Sequence, residues 1–119
     1  MLMPAPPHRH ERLSDQVRDE VAELVAAELK DPRIGLATVT GVELSPDYRH
    51  VLALVTVLGE AEEQKRTLEG LESAAGFVAH ELARRLRLRR MPEVVFALDR
   101  DAQEAERVDA LLREMKGKP

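Results

Sequence analysis

The chain holds no cysteine and no tryptophan, and only three aromatic residues with large apolar rings, Tyr48, Phe77 and Phe96, in 119 residues. Without cysteine there are no disulfides, no thiolate metal sites and no cysteine nucleophile, which fits a reducing cytoplasm. Proteins that read RNA bases on a sheet studded with aromatics need several of them exposed, so an RRM or a cold-shock-type sheet is not expected. Long apolar runs are also missing. Nothing approaches the roughly 20 residues of a membrane helix, and "MLMPAPPHRH" is too short and proline-rich for a signal peptide. Positive charge is in deficit, with 18 Lys and Arg against 22 Asp and Glu. The net charge of −4 speaks against generic nucleic-acid binding.

What is present suffices for one compact domain. Hydrophobic residues make up 44% of the chain and charged residues 34%, so the chain should fold and stay soluble. Residues 1–8 carry three prolines and are expected to form a disordered tail, residues 9–115 one domain, and residues 116–119 a second tail. Leu13, Val17, Val21, Leu24, Val25 and Leu29 recur at helical spacing and predict an amphipathic helix over 11–30. Lys30 would suit its C-terminal dipole, and Pro32 would stop it. "LATVTGVEL" (36–44) and "HVLALVTVL" (50–58) read as strands of a hairpin joined by the turn "SPDY". Gly41 marks a bulge or a close backbone approach. The second strand is almost wholly apolar, as a central strand is. Leu68, Leu71, Ala75, Val78, Leu82 and Leu86 then predict a helix over 61–87 facing the sheet. "EVVFALD" (93–99) is a third strand, and a short helix is expected over about 102–115, capped by Asp99 or Asp101. The architecture is therefore α+β, a three-stranded sheet with helices on one face plus a short C-terminal helix.

Charge is unevenly placed. Arg84, Arg85, Arg87, Arg89 and Arg90 leave residues 77–90 at +4 and the remainder at −8. A solvated helix end favours some cations, but five Arg and no Lys in seven residues exceed that need. The planar guanidinium suits phosphate, so the cluster is a candidate surface for nucleic acid or an acidic partner. Leu86 and Leu88 alternate with Arg85, Arg87 and Arg89, so the helix should end near Arg87 and the arginines splay across its end. "SAAG" (73–76) is either a close-packing strip or a built-in kink. Arg33, in "DPRIG", is counted among the candidate phosphate contacts, although its place beside the hairpin also suits a structural role.

No enzyme site emerges. His8 and His10 fall in the tail, and with His50 and His80 they match no metal-ligand spacing. Asp99, Asp101 and Glu104 suit helix capping better than paired acid–base chemistry. There is no P-loop, dinucleotide fingerprint or nucleophile–base arrangement.

Six stretches taken in order are more specific than any one alone: Arg9-x-x-Arg12, "KDPRIG" (30–35), "VTGVELSPD" (39–47), "LESAAGF" (71–77), "RLRLRRMPEVVFALD" (85–99) and "RVDALL" (107–112). Together they resemble the ribosome-binding factor A family across about residues 9–115. The resemblance implies a type II KH-like fold, α-β-β-α-kink-α-β, in which an Ala-x-Gly kink between two helices replaces the KH glycine loop. Here that motif matches Ala74-Ala75-Gly76, and the chain has no Gly-x-x-Gly. The chain departs from the family pattern at Ala79, where a basic residue is frequent, and at Asp101 and Ala105, where Ser and Gly are frequent. The resemblance further implies a cytoplasmic, monomeric assembly factor. It would bind the free small ribosomal subunit and its rRNA and assist late maturation and 5′-end processing without catalysing cleavage, most of all in the cold. Arg9, Arg12, Arg33, Arg84, Arg85, Arg87, Arg89 and Arg90 would contact rRNA. No cofactor, metal, membrane or small-molecule substrate is expected. The competing expectation is a protein-interaction module that offers the arginine face to an acidic protein.

Overall fold

The computed structural model describes residues 9–99. The expected tails, the helix over 102–115, His8, Asp101 and Glu104 lie outside the described residues. Helix α1 (Arg9–Glu23) runs into a π-helical turn (Leu24–Glu28), followed by strands β1 (Ala37–Leu44) and β2 (His50–Val57), helix α2 (Ala61–Arg85) and strand β3 (Glu93–Leu98). The sheet order is β1-β2-β3, antiparallel between β1 and β2 and parallel between β2 and β3. This is the α+β arrangement expected, with the nearly all-apolar β2 at its centre.

Side chains alternate across the sheet as the two-residue period requires. Val51, Ala53, Val55 and Val57 of β2 and Val94, Phe96 and Leu98 of β3 face a single cluster. The helices close that cluster from one side with Val17, Val21, Leu24, Leu71, Val78 and Leu82. Burying each such side chain contributes about 1.5–3 kcal/mol. The pairing register slips between Val39 and Gly41, so the bulge anticipated at Gly41 is present.

The first helix differs from expectation at both ends. It begins at Arg9, which takes His10 out of the tail and into a helical turn. At its far end it widens: Leu29 N–H donates to the Leu24 carbonyl at 3.1 Å, a five-residue step. With the turn widened, Leu24 and Val25 are both buried and Glu28 reaches α2. Leu29 is already extended, so Lys30 follows the helix instead of ending it.

Helix α2 is continuous from Ala61 to Arg85. Ala74, Ala75 and Gly76 therefore sit inside one helix, and the division into two helices implied there is not made. The physical reason is the apolar stripe. Leu71 on one side of Gly76 and Val78 and Leu82 on the other are fully buried in the same cluster. A mid-helix glycine costs only about 1 kcal/mol relative to alanine, too little to outweigh their burial.

Close packing does not explain Gly76 either, because a Cβ built there meets nothing within 4 Å. The close approach is one turn and a half earlier, at Gly70. A Cβ there would lie 2.7 Å from Ile34 Cγ1 and 3.3 Å from Arg33 Cβ. Gly70 lets the 31–35 connection lie against α2, where buried Thr67 accepts from Gly35 N–H at 3.1 Å.

Candidate nucleic-acid interface

The end of α2 sets where each arginine goes. Leu86 N–H donates to the Leu82 carbonyl and Leu88 N–H to the Ala83 carbonyl, both at 2.9 Å, with Arg87 between them at φ 53°. This is a Schellman termination, and its left-handed position is normally filled by glycine. The helix turns off there, and the five arginines separate into two groups.

Arg85 faces inward. Its side chain is 18% exposed and donates to Glu28 at 2.5 Å, Glu20 at 3.0 Å and Glu81 at 3.3 Å. These carboxylates, Glu28 first and Glu20 next, hold its guanidinium even more firmly protonated than usual. Arg85 joins α2 to α1 and the π-turn, so its charge is paired within the fold. Arg84 is exposed but shares Glu81, with Nη2 to Oε1 at 2.7 Å. Hydrogen bonding from Arg84, with a smaller contribution from Arg85, holds the Glu81 carboxyl below its ordinary range. Arg87, Arg89 and Arg90 are exposed and have no carboxylate partner among the described residues.

Arg33 is also consumed by the fold. Its Nε and Nη2 donate to the two Asp31 oxygens at 3.0 and 2.6 Å, and Nη2 donates to Ser73 Oγ at 2.8 Å. The Asp31 carboxyl is lowered from 3.8 to about 2, mainly by the Arg33 side chain and then by the Arg33 backbone N–H. Arg33 thus clamps the connection before β1 onto α2.

Arg9 and Arg12 are exposed on the first turns of α1. Between them lies His10, whose ring stacks on Tyr48 with centroids 5.4 Å apart and planes at 26°. Tyr48 is fixed by the turn between β1 and β2. Its N–H donates to the Ser45 carbonyl at 2.9 Å, and buried Ser45 donates from Oγ to Asp47 Oδ1 at 2.6 Å. Leu13, Asp47, Tyr48, Arg49, Leu88, Arg89 and Arg90 line a cleft of about 330 Å³ between this turn, α1 and the segment after α2.

Sequence reasoning missed Tyr48, His10 and Arg49 as members of this surface. The signal that could have found them is local: "PDYR" places an aromatic and an arginine on a tight turn. Tyr48 sits at φ 62°, and with Arg87 it is one of two non-glycine residues at positive φ among those described. Such strain persists where the surroundings enforce it and gathers at functional sites.

A second exposed strip lies along α2, where Ser73, Gly76, Phe77, His80 and Arg84 follow helical spacing on the solvent side. Phe77 is 47% exposed there. Among the described residues no group of three His, Asp or Glu could hold a metal ion, and no helix is long and apolar enough to cross a membrane.

The comparisons with known proteins agree with one another. The model of the family described as ribosome-binding factor A matches residues 9–112. A ribosome-binding factor A from Thermomicrobium roseum is 45% identical over 111 residues, spanning 93% of this chain and 86% of the relative. The crystal structure of ribosome-binding factor A from Thermus thermophilus superposes with a TM-score of 0.67 at 35% identity, covering 76% of this chain and 96% of that one. A homology model of the Thermus thermophilus factor, fitted into a cryo-EM map of a complex with the 30S subunit, gives a TM-score of 0.59 at 36% identity over 72% of this chain and 90% of that one. On this agreement of family, sequence and fold, the chain belongs to the ribosome-binding factor A family.

Proposed function

We propose that this protein is a ribosome assembly factor that binds the free small ribosomal subunit through its rRNA. It would assist late maturation, including processing of the rRNA 5′ end, as a cytoplasmic monomer, and leave the cleavage to other enzymes. Family membership and the relative fitted into a 30S complex support the partner. The observation that carries the surface is the separation of the arginines. Arg87, Arg89 and Arg90 remain exposed beyond the end of α2, Arg84 stands partly engaged beside them, and Arg9 and Arg12 extend the charge from α1.

The mechanism is electrostatic docking followed by steric action. Arginine forks neutralise phosphates and release counterions, which gives affinity without reading sequence. Gly76, which the fold does not require, would leave bare helix backbone on the exposed strip of α2 for a phosphodiester to approach closely. The bound protein would hold rRNA in a pre-mature arrangement and keep the subunit from translating.

The test is sedimentation of a cell extract on a sucrose gradient. The protein is expected with free small subunits, absent from polysomes, and released to the top of the gradient by ribonuclease. A peak on polysomes would contradict this reading, and association that survives ribonuclease would replace it with that of a module binding an acidic protein.

A further inference from the structure

The cleft beside Tyr48 has a chemistry that docking on phosphates does not use. Leu13 and Leu88 give it apolar lining, and Tyr48, a residue 38% exposed, lines it as well. His10 is stacked on that ring at 5.4 Å, so the ring is braced from the α1 side. Arg49, Arg89 and Arg90 are exposed and line it with positive charge. The one acidic lining residue, Asp47, accepts from Ser45 Oγ at 2.6 Å and from Arg49 N–H at 3.1 Å within its own loop. At about 330 Å³ the space is at the small end of ligand pockets, room for one planar group and not for a helix.

We propose that this cleft takes a single unpaired nucleotide of RNA. The base stacks on Tyr48 and extends the His10–Tyr48 pair to a third layer, while Arg49, Arg89 and Arg90 hold the flanking phosphates. The base must be unpaired, because in an A-form helix its faces are covered by its neighbours. The strain at Tyr48 is consistent with this use. A turn position at φ 62° favours glycine or asparagine, yet it carries the chain's only tyrosine. This inference rests on the reading of the protein as an rRNA binder and adds the form of RNA that one part of the surface accepts.

Because the chain has one tyrosine and no tryptophan, its intrinsic fluorescence reports on Tyr48 alone. The experiment titrates the full-length protein with a ten-nucleotide single-stranded RNA, with a duplex of the same length, and with polyphosphate of matched charge. Quenching by the single strand only is expected. Affinities of variants follow from anisotropy of the labelled single strand. Tyr48→Asn suits the backbone, so the fold should survive, and it should bind about 5- to 160-fold more weakly, the range for losing one base–aromatic stack. Tyr48→Phe should retain binding. Equal quenching by duplex or polyphosphate, or an Asn variant that is folded by circular dichroism and binds as wild type, would overturn the nucleotide cleft. If wild-type protein still binds whole small subunits in that case, the assembly-factor reading stands. If wild-type protein fails to bind subunits, that reading fails, whatever the oligonucleotide shows.

Discussion

Replacing Gly76 by alanine separates what the fold needs from what the surface needs. The added Cβ meets nothing within 4 Å, so no packing cost opposes it. Alanine is favoured over glycine in a helix interior by about 0.8–1.0 kcal/mol. Gly76→Ala should therefore raise unfolding free energy by about 1 kcal/mol, a gain of about 4 °C in Tm for a chain of this length. Thermal unfolding followed by circular dichroism at 222 nm measures it. The matched control is Gly70→Ala, where the same methyl would stand 2.7 Å from Ile34 Cγ1. Overpacking costs about 1–3 kcal/mol, which exceeds the helical gain, so that variant should lose about 1 kcal/mol. The stabilised Gly76→Ala protein should at the same time bind small subunits more weakly. A loss of stability at Gly76→Ala would refute the packing reasoning, and a stabilised variant with unchanged binding would remove the bare backbone from the interface.

The two groups of arginines should part in the same way. Arg85→Ala leaves Glu20, Glu28 and Glu81 facing one another and should lower the urea midpoint more than any other single arginine substitution, whereas Arg89→Ala and Arg90→Ala should leave it within error. Arg87→Gly relieves a left-handed position and should gain about 0.5–1 kcal/mol in unfolding free energy while weakening subunit binding. Asp31 titrates from 3.8 down to about 2 on folding, so it stabilises the native state fully above about pH 4 and loses that contribution as pH falls toward 2. Asp31→Asn should be less stable at neutral pH and should flatten that acid limb in urea midpoints measured at pH 5, 4, 3 and 2.

Much of the framework was legible because it depends on local periodicity and turn chemistry. The alternation in "EVVFALD", the apolar run at 50–58 and the prolines and glycines between elements each specify an element without distant information, and the slip at Gly41 followed from one glycine in a strand. The switch from a period near four to a period of two at Leu86 and Leu88 placed the end of α2 within two residues. The distinctions that were not legible depend on partners far along the chain. Arg85 and Arg87 look alike in sequence, and only Glu20 and Glu28, 65 and 57 residues away, make the first structural. His10 and Tyr48 likewise meet only because α1 crosses the β1–β2 turn. At Ala74-Ala75-Gly76 the unbroken apolar phase was the better guide to continuous helix than the motif.

The central claim is that rRNA binding runs through the arginines left free at the end of α2. It is tested most directly with Arg87→Glu, Arg89→Glu and Arg90→Glu combined, which spares Arg85 and its carboxylates. The measurement is pelleting of the purified variant with purified small subunits over a salt series, beside wild type. The variant should keep the wild-type unfolding midpoint yet fail to pellet. Wild type should lose affinity with rising salt at a slope of about 0.7–0.9 per phosphate contacted. A folded triple variant that pellets as wild type does, with the same salt slope, would contradict the claim.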